Sequence, residues 1–387
     1  MFNFLFGLIT GIYFVILLFF LMGLFFPNRN QTSKKYFVSV VVAARNEEKN
    51  IGNLLSEIIN QTYPTELFEI IIVNDGSEDG TGEIVDRFAK KVKNVKHLKA
   101  TRDSKSGLIA KKNALNQGIQ QSRGEIILST DADCHVKPTW IETMVSYFTG
   151  EVGMVVGFSQ LGDKEKRYSL FEKLQAVDFL SLMAAAQGSL NFGCPLAASG
   201  QNFAYRKAAY EAIGGFEKIK NRISGDDVLL LQLIRKFTNW KIKFAPSPQA
   251  FNWTEPEKTL RSFLNQRKRW ASNGSYQIKL NMGFFLFIFS VFLMNLFVLF
   301  GTPVYILTYH LLKVPVLCLL IKILIEFLIT FKGAMLYRRL DLLKYFPVWT
   351  ILQIPYVILA GLLGSLGHFI WKDRKYFQEV TTFRTAP

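Results

Sequence analysis

The stretch "YFVSVVVAARNEE" (residues 36–48) is an apolar, largely β-branched run that stops at a polar and charged cluster. Such a run has no polar face, so the strand it forms must be buried on both sides. The residues after it, "EKNIGNLLSEIIN" (48–60), carry apolar side chains at helical spacing. The alternation continues outward: "FEIIIVND" (68–75), "VKHLKA" (95–100), "GEIILSTDAD" (124–133) and "VGMVVG" (152–157) repeat the strand signal, with helical stretches between. This pattern predicts an α/β domain, a mainly parallel sheet with helices on both faces.

In an open sheet of this kind a ligand sits outside the carboxyl ends of the strands. Polar clusters fall there: "ARNEE" after the first strand, "NDGSEDGT" after the second and "DAD" at the fourth. Each alone also suits a solvated turn or helix cap, as Ser77 and Asp79 would provide. Three together favour a binding site. Read as the end of a strand, Asp131 and Asp133 point to one face. Two carboxylates that close repel unless solvent, a cation or a polar ligand compensates them. Mg²⁺ or Mn²⁺ bound together with a substrate diphosphate would do so, with Asp133 on the metal and Asp131 on the ribose or the metal. Neither GxxxxGK[ST] nor GxGxxG follows a strand, which disfavours kinases, P-loop ATPases and dehydrogenases.

Residues 2–26 contain no charge and are long enough for a bilayer core of about 30 Å. A cleaved signal peptide is the competing reading, but a basic n-region and a small-residue cleavage site are missing, so a retained helix over 1–27 is expected. The formal charge of +16 fits nucleic acid or anionic lipid headgroups. With apolar segments at both ends, membrane lipids are the expected partner and nucleic acid is not. Arg29, Lys34 and Lys35 place the following region in the cytosol. The three cysteines show neither a disulfide framework nor a zinc pattern and read as small buried residues.

The region 282–371 is apolar again, with stretches at 283–301, 302–312, 314–331 and 347–370, ahead of a cytosolic tail over 372–387. Lys322 and Glu326 are four residues apart and pair on one helix face turned from lipid. The basic clusters "KGAMLYRRLDLLK" and "WKDRKY" both belong in the cytoplasm, which three simple crossings do not allow. Either 347–370 bends back at Pro347, Pro355 or Gly361, or 283–312 crosses twice.

Two further motifs complete an ordered set: "SGDDVLLLQLI" (224–234) and "QRKRW" (266–270). The order ARNEE–NDGS–DAD–GDD–QRKRW resembles the family 2 glycosyltransferases of GT-A fold, over roughly residues 36–275. It is most similar to their membrane-integrated branch, which includes cellulose, hyaluronan and poly-N-acetylglucosamine synthases and ceramide glucosyltransferases. The resemblance implies a UDP-sugar donor, with Asp75 at the base and the chain around Ala44 and Glu47 lining the uridine pocket. Asn74 stands where many relatives have a second Asp. Lys111, with Lys112 beside it, matches a basic position near the nucleotide, and Asp131 and Asp133 form the nucleotide and metal pair. In "GDD" the second acid, Asp227, would be the catalytic base, with Asp226 beside it on the acceptor and diphosphate side. The pair also suits a helix N-terminus. Gln266, Arg269 and Trp270 would serve the diphosphate and acceptor, since an Arg fork binds two phosphate oxygens at once.

The implied chemistry is a single displacement that inverts the anomeric centre, with one carboxylate as general base on an acceptor hydroxyl. The leaving diphosphate is neutralised by the metal and cationic side chains. The final "WKDRKYF" resembles the ending of lipid-modifying relatives, which favours a lipid acceptor; a growing glycan, as in a processive synthase, is the alternative. A non-catalytic membrane scaffold with the same fold is the reading from another class, and the intact acidic motifs speak against it.

Overall fold

The computed structural model describes residues 2–27, 30–101, 107–365, 368–371 and 374–377. Arg29 and residues 378–387 lie outside the described residues. In chain order the strands are β1 Val38–Ala44, β2 Phe68–Asn74, β3 Val95–Lys99, β4 Ile126–Ser129, β5 Cys134–Val136, β6 Val152–Gly157, β7 Ser159–Leu161, β8 Phe203–Arg206, β9 Lys241–Ala245, β10 Asn252–Thr254, β11 His368–Trp371 and β12 Arg374–Phe377. α1 Phe2–Gly23 precedes the α/β region, whose helices are α2 Ile51–Ile59, α3 Thr81–Lys91, α4 Ala110–Gln120, α5 Trp140–Ser146, α6 Leu170–Asn191, α7 Lys207–Ala212, α8 Val228–Phe237 and α9 Leu260–Ala271. Beyond them come α10 Gln277–Leu280, α11 Met282–Leu296, α12 Thr302–Tyr309, α13 Lys313–Leu336 and α14 Phe346–Ser365.

Seven strands form one sheet in the order β3-β2-β1-β4-β8-β6-β9. The first four are parallel, β8 runs antiparallel to both β4 and β6, and β9 is parallel to β6. Alternation along β1 and β2 explains why both faces are apolar. Val40, Val42, Ile70 and Ile72 pack with Ile51, Leu54, Leu55 and Ile58 of α2. Val41, Ile71 and Val73 turn the other way, towards Ala114 and Leu115 of α4. α4 lies so close to the sheet that a Cβ at Gly118 would come within 2.6 Å of Val41 and 2.8 Å of Val73. A small sheet, β5-β10-β7, stands beside the carboxyl end of β4.

The fourth strand is shorter than its sequence suggests. β4 stops at Ser129, where the register with β8 ends at Phe203, and the Thr130 hydroxyl donates to the Gln201 carbonyl at 2.7 Å. The segment 195–216 enters the sheet as β8 and then forms α7. Cys134 and Cys318 are buried as expected, but Cys194 is exposed.

Among the described residues, four helices are long and apolar enough to cross a membrane: Phe2–Gly23, Met282–Tyr309, Lys313–Leu336 and Leu340–Gly364. The second is a single 28-residue helix, α11 and α12 joined by a π turn at Phe297–Gly301, so 283–309 does not double back. α14 runs unbroken through Pro355, so the proposed hairpin within 347–365 is absent too. Helix neighbours supply the reason: Gly364 seats against Ala271 of α9, and Gly361 against Phe292 of α11. Residues 368–371, expected to extend the last apolar stretch, pair instead with 374–377 as an antiparallel hairpin. Lys322 and Glu326 do pair, with Nζ 2.8 Å from the carboxylate and both side chains buried. α1 crosses α6 with backbone contact between Gly23 and Gly188, where any Cβ would strike the opposite chain.

Candidate active site

The carboxyl ends of β1 and β2 are clasped together by their own loops. The Asn46 N–H donates to Ser77 Oγ at 3.1 Å, and Asn46 Oδ1 accepts the Glu78 N–H at 3.0 Å. Glu48 N–H reaches Asp79 Oδ2, and Gly80 N–H reaches Glu48 Oε2. Much of "NEE" and "SEDGT" is therefore structural, fixing the loops around a positive φ at Asn46. Asp75 follows directly, its N–H held by the Ala44 carbonyl at 2.9 Å and its own carbonyl by Arg45 Nη1. Ala44 is buried at the end of β1, while the Glu47 N–H is tied to Thr81 Oγ1 and its carboxylate to Asn50. Asn74 acts locally, its Oδ1 accepting the Ser77 N–H at 2.8 Å and closing the turn.

Asp131 and Asp133 do not lie on a strand face. They leave β4 and form a turn closed by the Cys134 N–H on the Asp131 carbonyl at 3.1 Å. Lys111, in the first turn of α4, reaches this turn from the side: Nζ lies 2.6 Å from Asp131 Oδ1 and 2.7 Å from Asp226 Oδ2. Burial alone would lower the lysine pKa. The two carboxylates outweigh it and hold the ammonium well above its usual range. One cation thus joins motifs 95 residues apart in the chain, 226 minus 131.

Asp226 and Asp227 precede α8. Asp227 is its N-cap, with Oδ1 accepting the Val228 N–H at 2.6 Å and Oδ2 accepting the Gly200 N–H at 2.8 Å. The two carboxyls are pushed apart electrostatically. Burial penalises the Asp226 carboxylate, yet Lys111 beside it holds its pKa below the ordinary value. Burial first, and then the neighbouring Asp226 charge, raise Asp227 to about 6. One acid of the pair is locked as an anion and the other is poised near neutrality, the arrangement expected of a general base.

Several residues here escape sequence reasoning. Gly200 brings its backbone within reach of the acids, and a Cβ there would stand 3.2 Å from Asp227 Oδ2 and 3.5 Å from Lys111 Nζ. Lys112 hydrogen-bonds the Arg222 carbonyl and no carboxylate, and burial lowers its pKa to about 7 although Asp226 and Asp227 act against that shift. Arg222 in turn donates to the Ser272 carbonyl at 2.5 Å and to Asn273 Oδ1 at 3.2 Å, which ties the loop before the acids to the end of α9. The spacing "AKK" gives no means of telling Lys111 from Lys112, since only the rotation of α4 against the sheet separates their directions.

α9 carries the last motif. Gln266 donates to Glu257 Oε1 and accepts from Arg267 Nη1, both at 3.3 Å. Trp270 lies between Phe179, with ring centroids 5.9 Å apart, and the Arg267 guanidinium, 4.2 Å from its centroid. Arg269 is close enough to Asp226 to favour its ionised form.

The described residues contain no group of three or more His, Cys, Asp or Glu side chains able to enclose a metal ion. Asp131 is partly exposed, its side chain 31% accessible. Two carboxylates with the remaining positions left to phosphate and water fit one Mg²⁺ or Mn²⁺ ion.

Residues 39–214 match the family described as "Glycosyl transferase family 2". The probable glycosyltransferase YdaM of Bacillus subtilis is 30% identical over 62% of this chain and 56% of its own length. Glycosyltransferase AglE of Haloferax volcanii is 32% identical over 51% and 60%, and the poly-beta-1,6-N-acetyl-D-glucosamine synthase of Staphylococcus epidermidis is 28% identical over 61% and 54%. The chain thus spans between half and two thirds of the length of these relatives. Among solved structures, the mannosyltransferase PcManGT of Pyrobaculum calidifontis, in complex with GDP-Man and Mn²⁺, shares the fold with a TM-score of 0.60 and 18% identity. That likeness covers 94% of this chain and 99% of the other, so it takes in the flanking apolar helices as well as the GT-A sheet.

Proposed function

We propose that this family 2 glycosyltransferase domain transfers a sugar from a UDP-sugar to a membrane-associated acceptor, a lipid, at the cytoplasmic face of the cell membrane. The observation that carries the reading is the split acidic pair at the N-terminus of α8, joined through Lys111 to the Asp131–Asp133 turn. The turn would supply donor-side oxygens and the pair a base, side by side at the carboxyl ends of the sheet's parallel strands.

Asp75, with the chain at Ala44 and Glu47, receives the uracil and ribose. Asp131 and Asp133 would hold the divalent cation, which would supply positive charge against the leaving diphosphate. Lys111 and Arg269 face the same diphosphate, Arg with its planar fork. Asp227, deprotonated, takes the proton of the acceptor hydroxyl as that oxygen attacks the anomeric carbon; the bond to the diphosphate breaks and the configuration inverts. Asp226 keeps its negative charge beside Lys111 and so sustains the basicity of Asp227. Trp270 presents an apolar surface on the acceptor side.

Membranes containing the chain are incubated with Mn²⁺ or Mg²⁺ and labelled UDP-sugars, with GDP-mannose in parallel because the structural neighbour was solved with it. Label in the organic phase, lost in Asp227→Asn, is the expected result. Label in insoluble polymer would move the reading to a processive synthase, which the relatives named poly-beta-1,6-N-acetyl-D-glucosamine synthase favour. No transfer with any donor, alongside retained nucleotide binding, would move it to a scaffold.

A further inference from the structure

α14 is apolar, yet it carries two sets of polar anchors. Thr350 and Gln353 bond to Glu326 and Lys322 of α13, where Glu326 also accepts the Tyr13 hydroxyl of α1. Trp349 and Tyr356, seven residues apart and so on one face of the helix, both donate to Asp178 of α6: Nε1 to Oδ1 at 3.3 Å, and the hydroxyl to Oδ2 at 3.1 Å. The remaining partner of Asp178 is Arg267, Nη2 to Oδ2 at 2.7 Å, with the two side chains 5% and 3% exposed. Arg267 occupies an unspecified position of QxxRW. Its guanidinium lies against Trp270 at 4.2 Å and against Phe263 at 4.8 Å. One turn earlier on α6, Gln175 exchanges two hydrogen bonds with the Glu257 backbone, and Glu257 holds Gln266.

A buried carboxylate in apolar surroundings is costly, and full satisfaction by an arginine, an indole and a phenol specifies one geometry. We propose that Asp178 is a positioning residue for the acceptor and diphosphate side of the site: through Arg267 it fixes the rotation of α9, and so the places of Arg269 and Trp270. Through Trp349 and Tyr356 it makes that rotation depend on α14. The last apolar helix is on this account part of the active site's frame as well as of the membrane region. The inference rests on the glycosyltransferase reading for what α9 does, and on the hydrogen-bond network alone for what holds it.

The test uses the full chain in detergent with Asp178→Asn, Trp349→Phe, Tyr356→Phe, Arg267→Lys and Arg267→Met. The two Phe variants remove one donor each and keep the ring, so they report even if Asp178→Asn fails to fold. Amide exchange over 260–272 should rise in Asp178→Asn and in both Phe variants while exchange in β1 and α4 stays as in the parent. In the presence of Mn²⁺, UDP affinity should fall about fivefold or more while UMP affinity stays within about twofold, because only the diphosphate meets α9. Arg267→Lys, which keeps the charge, should recover most of the UDP affinity lost in Arg267→Met. Unchanged exchange over 260–272 in the Phe variants overturns the proposal, as does an equal loss of UMP and UDP affinity. A parent chain that binds neither nucleotide would sink the functional reading instead, and the exchange data would still decide the positioning claim.

Discussion

Lys111 Nζ stands 2.7 Å from Asp226 Oδ2, and the same nitrogen reaches Asp131 at 2.6 Å, so one partly buried cation holds two motifs in register. Asp226 is itself buried, so removing its partner leaves an uncompensated charge. Lys111→Met should lower stability by about 3–5 kcal/mol and abolish transfer. Thermal unfolding in detergent, read beside nucleotide binding, checks both. A variant that keeps its melting temperature would show that the cation is dispensable to the fold.

Asp227→Asn is expected to fold, because Asn also caps helices well, and to bind UDP as the parent does. Transfer should drop by about 10²–10⁴-fold, the contribution typical of general acid–base catalysis.

The pH profile carries a sign. Burial and Asp226 raise the Asp227 pKa to about 6, and the base acts only when deprotonated. Transfer should therefore fall as pH drops through about 6 and level off above it. Weakening the Asp226 charge should move the midpoint down, so Asp226→Asn, if it retains measurable activity, is the variant to titrate. An upward movement would contradict the assigned cause.

Chelation should stop transfer, and added Mn²⁺ or Mg²⁺ should restore it. Asp133→Asn should require at least about tenfold more metal for half-maximal rate, since one carboxylate of a two-carboxylate site is lost. Metal dependence identical to the parent would remove Asp133 from the cation's ligands.

Between the apolar helices, Lys322→Leu alone strands Glu326 and should destabilise the chain strongly. Lys322→Leu together with Glu326→Leu should be far milder, because replacing both members of a buried pair is often near neutral. Yield and melting temperature of the three chains give the comparison.

Period and type of side chain made the sheet legible. β1, β2 and β6 are buried on both faces, so they read as uninterrupted apolar runs, and the observed strands match those runs closely. β8 was not legible: "FAYR" is short and antiparallel, and its pairing with β4 is a long-range choice. The DAD pair does follow a strand end, as its sequence suggests, but it sits in a turn and not on the strand. The turn that carries it is set by Thr130 and Gln201, 71 residues apart.

The sequence by itself determined the α/β alternation, the apolar flanks, the Lys322–Glu326 pairing and the set of chemical groups available, because each follows from local spacing along a helix or strand. Tertiary structure alone decided which of two adjacent lysines bridges the carboxylates, which of two adjacent aspartates has its pKa raised, and that Asp178, Arg267, Trp349 and Tyr356 form one cluster. Charge interactions and desolvation act through space over a few ångströms, and only the packed chain brings those residues within that range.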